Sequence, residues 1–124
     1  MAQQDKDEAI AQMARAIRGL NTAIGKLDQA FAFAVTTQKR RLFKVITELE
    51  ERLVTAKTFL AHLKAAEVVV KPPKPASYRQ LEQALTALQA IEVNNNAVAR
   101  VLAAASALGD AVLATRTEVS ARAT

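Results

Sequence analysis

Residues 9–36 repeat in sevens: AIAQMAR, AIRGLNT, AIGKLDQ, AFAFAVT. Ala9, Ala16, Ala23 and Ala30 share one position of the repeat, and Ile10, Ile17, Ile24 and Phe31 share the next. Met13, Leu20, Leu27 and Ala34 fall three residues after those. A strict seven-residue apolar repeat keeps one stripe of a helix facing a partner helix and implies coiled-coil packing. The alanine beside every large position widens that stripe, which suits a bundle of three or more helices or a close antiparallel pair. Four heptads at the α-helical rise span about 42 Å. Ile10, Met13, Ile17, Leu20, Ile24, Leu27 and Phe31 are the expected partner-binding seam, used within the chain or between chains.

The rest of the chain is read against this array. Asp5 is a candidate N-cap, with Glu8 at the capping-box position three residues on. Past Thr36 comes a polar run, Thr37-Gln38-Lys39-Arg40-Arg41, with no glycine or proline. Apolar spacing resumes one residue out of phase at Leu42, Ile46, Leu49, Leu53, Ala56, Leu60 and Leu63. Two readings fit: one helical arm over 5–68 with a stutter, or a tight turn near 36–38 between two antiparallel helices. Three prolines at 72, 73 and 75 mark a stiff connector over 69–76. Ser77, with Gln80 three residues later, is the expected cap of a second arm over 77–121. Asn94-Asn95-Asn96 interrupts that arm, either as a loop or as a kink with a polar layer at Asn95.

Composition agrees with helix. The 124 residues include no Trp, one Tyr and three Gly, and Ala and Leu lose little on entering a helix. Gly19 and Gly25 lie opposite the heptad stripe. Each costs about 1 kcal/mol in a helix interior, so each is either a tolerated surface glycine or a place of close helix approach. Residues 97–115 are mostly apolar, interrupted by Arg100 and Asp110. A bundle helix is expected there in preference to a membrane span, because charges in a span cost a few kcal/mol each.

The catalytic inventory is thin. No cysteine is present, which excludes disulfides, thiolate metal sites and cysteine nucleophiles. His62 stands alone, and a metal site would need further ligands. Glu48, Glu50 and Glu51 point in different directions around a helix, as a solvated face does. Neither a phosphate-binding loop nor a dinucleotide fingerprint occurs. No metal, cofactor or small-molecule substrate is expected.

Charge is the remaining signal. The net charge is +5, and residues 36–75 carry nine basic and four acidic side chains, while the segments on either side each carry four of both. Lys39, Arg40, Arg41 and Lys44 form the tightest basic cluster and are the candidate partner-binding patch. Nucleic acid is an alternative ligand. Phe43 is assigned to the core by spacing, and an anionic membrane is not expected for want of an aromatic belt.

The chain has no counterpart of the Trp-x-Gly turn of small helical-hairpin secretion substrates, since it has no Trp. The expectation is an all-α protein: an antiparallel helical bundle, or a long helical hairpin, that self-associates. The expected role is that of a non-enzymatic structural or adaptor protein, partnered by itself or another protein. The alternatives are a nucleic-acid accessory protein or an inhibitor that occludes a partner. Cytoplasm is the default location, because the polar, acidic N-terminus is unlike a secretory signal.

Overall fold

The computed structural model describes residues 2–65 and 75–120. They form four helices: α1 (Ala2–Phe31), α2 (Thr36–Ala65), α3 (Pro75–Gln89) and α4 (Val98–Ser120). The protein is an all-α bundle with its helices packed against one another.

The arm over 5–68 is broken. Helix α1 ends at Phe31, inside the fourth heptad, so the turn occupies 32–35, just before the 36–38 expected from the polar run. Three short-range bonds close it: Ala32 N–H to the Gln29 carbonyl, Phe33 N–H to Ala30 and Ala34 N–H to Phe31, at 3.3, 3.0 and 3.4 Å. This i to i+3 pattern satisfies carbonyls that the helix end would orphan. On the far side, Val35 N–H donates to Gln38 Oε1 at 3.0 Å. The Val35 carbonyl accepts the first α2 bond, from Lys39 N–H at 2.9 Å. Gln38 thus performs the back-reaching half of a capping box.

The second arm is also two helices. Ala90 N–H to Thr86 and Ile91 N–H to Leu88 finish α3. Asn94 Oδ1 then accepts from Asn96 N–H at 2.9 Å, and the Asn94 carbonyl accepts from Ala97 N–H at 3.1 Å. That is an asparagine-built turn, not a kinked helix. Asn95 is exposed, so no polar layer forms there. Lys26 Nζ reaches across from α1 to the Ile91 carbonyl at 2.6 Å and ties this loop to the bundle. Two expected caps lie inside helices instead. Helix α1 begins upstream of Asp5, and α3 begins at Pro75, ahead of Ser77. Proline suits a first helical position because its missing N–H has no intrahelical partner to lose. Most of the 69–76 connector lies outside the described residues.

Cross-chain neighbours set the directions. Arg15 bridges to Glu82 at 2.7 Å and donates to Tyr78 Oη at 3.2 Å, while Lys26 meets Ile91, so α1 and α3 run parallel. Gln38, Arg41 and Val45 share a cleft with Ala99, Leu102 and Ser106, and Arg52 and Thr55 share another with Val112 and Arg116. Helices α2 and α4 therefore run parallel too, and the order is up-down-up-down. Helices α1 and α4 each touch all three others, whereas α2 and α3 do not meet among the described residues. The cross-section is a rhombus with α1 and α4 on its short diagonal.

Small residues allow that diagonal. The side chains of α1 that are wholly buried are Ala9, Met13, Ala16, Leu20, Ala23, Leu27 and Ala30. Ile10, Ile17 and Ile24 are half-buried flanks. The alanine row, not the isoleucine row, points to the centre. Gly19 sits on a helix approach: a Cβ there would lie 3.4 Å from Leu108 and 3.5 Å from Leu85. Gly25 faces open space. Gly109 is tighter still, with a Cβ position 2.8 Å from Leu49 Cδ2. On α2 the buried residues are Leu42, Leu49, Ala56 and Leu63, one per heptad. Helix α4 buries Val98, Val101, Ala105, Leu108, Val112 and Thr115. Its span 98–116 is long and apolar enough to cross a membrane by length and composition alone, but it lies at the middle of the bundle.

Candidate docking end of the first helical hairpin

The hairpin of α1 and α2 turns at one end of the bundle, and its turn is built from Ala32, Phe33, Ala34 and Val35. Phe33 and Val35 are 46% and 63% exposed. Both belong to the turn itself, beyond the face that α1 and α2 bury against each other. Phe31, the last residue of α1, is 39% exposed.

Helix α2 carries the basic cluster away from this turn. Its buried line runs through Leu42, so at 100° per residue the opposite arc holds Lys39, Phe43, Arg40, Lys44 and Arg41 in angular order. All five are exposed, Phe43 at 68%. The spacing argument that put Phe43 in the core thus fails. Phe43 follows Leu42 directly, and one helical step of 100° carries it from the seam to solvent. Lys39 Nζ lies 5.6 Å from the centroid of the Phe31 ring, within cation–π range. Arg41 also lines a cleft of about 220 Å³ with Gln38, Val45, Ala99, Leu102, Ala103 and Ser106. Arg100, exposed near the start of α4, stands at the same end. Among the described residues, the acids nearest that end are Asp28 and Glu92, with Glu48 one turn beyond Lys44.

The expected seam residues separate from this site. Met13, Leu20 and Leu27 are wholly buried inside the chain. Ile10, Ile17 and Ile24 flank them, and only Phe31 belongs to the exposed end. The heptad array is therefore used for intramolecular packing among the described residues.

Comparison with protein-family models, with curated proteins and with solved structures finds no match to this chain.

Elsewhere the titratable groups are dispersed. His62 is exposed and borders a shallow depression with Val54, Thr58, Phe59 and Arg116. Glu48 and Glu51 line a cleft of about 190 Å³ with Arg52, Thr55, Val112, Leu113 and Arg116. Glu50 lies on an adjoining face with Thr47 and Val54. No group of three or more His, Asp or Glu side chains is placed to hold a metal among the described residues. The exposed apolar end was missed from the sequence because Phe31 and Phe33 sit within a heptad array. The signal that could have found it is Gln38, whose amide caps the N–H three residues before it and ends the array early.

Proposed function

We propose that this chain is a non-enzymatic structural or adaptor protein that works by docking the α1–α2 end onto a negatively charged partner. The observation that carries the reading is the co-location of Phe31, Phe33, Val35 and Phe43 with Lys39, Arg40, Arg41 and Lys44. Exposed apolar groups in such a cluster mark interaction surfaces. Cations around them steer an acidic partner and speed its capture. Self-association remains part of the proposal and would need exposed surface other than the heptad stripe, which is already spent inside the bundle. A cytoplasmic location remains part of the proposal and is consistent with docking onto other cellular components.

Native mass spectrometry of the complex recovered from its source, with wild-type protein and with a Phe33→Ser/Phe43→Ser variant, tests this reading. Both residues are exposed, so the variant keeps its helical content. The expected result is loss of the partner mass, or of the oligomer, in the variant. An unchanged complex would rule out this end as the working surface.

Nucleic acid is the second reading. Phe43 lies between Lys39 and Arg40 on the exposed arc, and a stacking ring among phosphate-binding cations suits a single strand. It predicts binding that weakens steeply with salt and is lost when Lys39, Arg40 and Arg41 become Ala.

A further inference from the structure

We infer that the α1–α2 end is a docking tip for the surface of an anionic lipid bilayer. It rests on the docking reading above, names the occupant of that same end, and reverses the expectation of no membrane, because the fold leaves Phe33, Val35 and Phe43 exposed at the end that carries the cations.

The order of groups along the bundle axis is the first argument. Phe33 and Val35 sit at the apex, in the turn itself. Lys39, Arg40 and Arg41 follow three to five residues after Thr36, about 5–8 Å down the axis at the helical rise. Phe43 and Lys44 come about 11–12 Å down. Interfacial elements bury their apolar groups about 5–10 Å into the headgroup and acyl boundary. With the bundle upright, the apex reaches that boundary while the cations stand level with the headgroups. The long stems of Lys and Arg let the charge remain in the polar layer.

Shape is the second argument. The turn presents exposed apolar side chains at the tip of the bundle, a geometry that suits contact with a flat interface, while the cleft lined by Arg41, Val45 and Leu102 opens on its side, between α2 and α4. Of the two large apolar residues of the turn, the more exposed is aliphatic: Val35, at 63% against 46% for Phe33. A valine has no ring face on which a base could stack, so it adds nothing to nucleic-acid binding, yet it adds apolar area to a bilayer contact. Of the rings, Phe31 already lies against Lys39. The third argument is charge. Four exposed cations stand on the first two turns of α2 and exposed Arg100 begins α4 at the same end, whereas among the described residues the acids nearest this end are Asp28 and Glu92, with Glu48 one turn beyond Lys44. Each such cation contributes about fivefold to partitioning onto an anionic surface.

Flotation of the full chain with vesicles tests the assignment. One vesicle set is pure phosphatidylcholine, and the other is phosphatidylcholine with about a third phosphatidylserine. A short DNA duplex and a single strand serve as competing polyanions. Wild-type protein is expected to float with the anionic vesicles at low salt and not with the neutral ones. A Lys39→Gln/Arg40→Gln/Arg41→Gln variant should lose on the order of 100-fold in partitioning, the product of three fivefold terms. A Phe33→Ser/Val35→Ser variant should lose tenfold or more while keeping its salt dependence. Far-UV circular dichroism shows that each variant is folded, since all five residues are exposed.

Equal flotation with neutral and anionic vesicles overturns the assignment. So does anionic binding that ignores the Phe33→Ser/Val35→Ser change. DNA binding without flotation, lost in the triple glutamine variant, overturns the lipid occupant and leaves the docking end standing. No flotation, no DNA binding and an unchanged native complex in every variant overturns the docking reading as well.

Discussion

Gly109→Ala is the substitution that most directly probes how closely α4 approaches α2. The backbone at Gly109 is ordinary helix, with no positive φ, so alanine meets no conformational barrier. In a helix interior the exchange is favourable by about 1 kcal/mol. Against it stands the neighbour. The new Cβ would lie 2.8 Å from Leu49 Cδ2 and 3.4 Å from Arg52 Nε, whereas carbon pairs rest at about 3.5–4.0 Å. Leu49 is 2% exposed, so its methyl has little room to swing away. Overpacking of this kind costs about 1–3 kcal/mol. The net expectation is a destabilisation between about 0 and 2 kcal/mol.

Gly25→Ala supplies the reference. It sits in the same kind of helix with nothing within 4 Å of the added carbon, so it should stabilise by about 1 kcal/mol. Urea titrations followed by circular dichroism should therefore place the two variants on opposite sides of wild type, or at least about 1 kcal/mol apart. A double-mutant cycle sharpens the comparison. Leu49→Ala removes the crowding methyl, so it should cost less in the Gly109→Ala background than in wild type. If Gly109→Ala stabilises as much as Gly25→Ala, the α2–α4 contact is looser than described and the reasoning fails.

Other outcomes follow from the same packing. Leu20→Ala and Leu27→Ala should each cost about 2–5 kcal/mol by urea denaturation, since both side chains are wholly buried, while Ile17→Ala, on the half-buried flank, should cost less than either. Gln38→Ala should lower stability by about 0.5–2 kcal/mol by removing the acceptor for Val35 N–H, and hydrogen exchange should show the loss first at the start of α2. Asn94→Ala should cost about 1 kcal/mol through the Asn96 N–H bond, whereas Asn95→Ala, at an exposed position, should stay within about 0.5 kcal/mol of wild type in the same titration.

Much of the architecture was legible in residues 9–63, because heptad spacing reports which face of a helix is buried. Leu42, Leu49, Ala56 and Leu63 were read in register, and the structure buries all four. Spacing says less about where a helix stops. The break at 32–35 has no glycine or proline, and its cap combines a valine backbone with a glutamine side chain, neither a strong signal alone. The phase of α4 is also weakly specified by its sequence. Its small residues fit several faces equally well, so composition could not separate Leu102, which is half-buried, from Val101, which is buried. The cations of the candidate site were visible as a cluster. Their apolar companions were not, since exposure of Phe33 and Phe43 depends on the turn and on one helical step from Leu42.

The short α1–α4 diagonal also bears on how the chain acquires its structure. Helices α1 and α4, the outermost in sequence of the four, rest on each other, so their pairing must close a loop that contains both α2 and α3. Closure of long loops slows folding more than it weakens the product. During synthesis, α1 and α2 emerge as a hairpin whose flanks facing α4 stay bare until α4 leaves the ribosome. Truncation before Val98 would strand that apolar surface in water. Chains cut there should aggregate or bind chaperones.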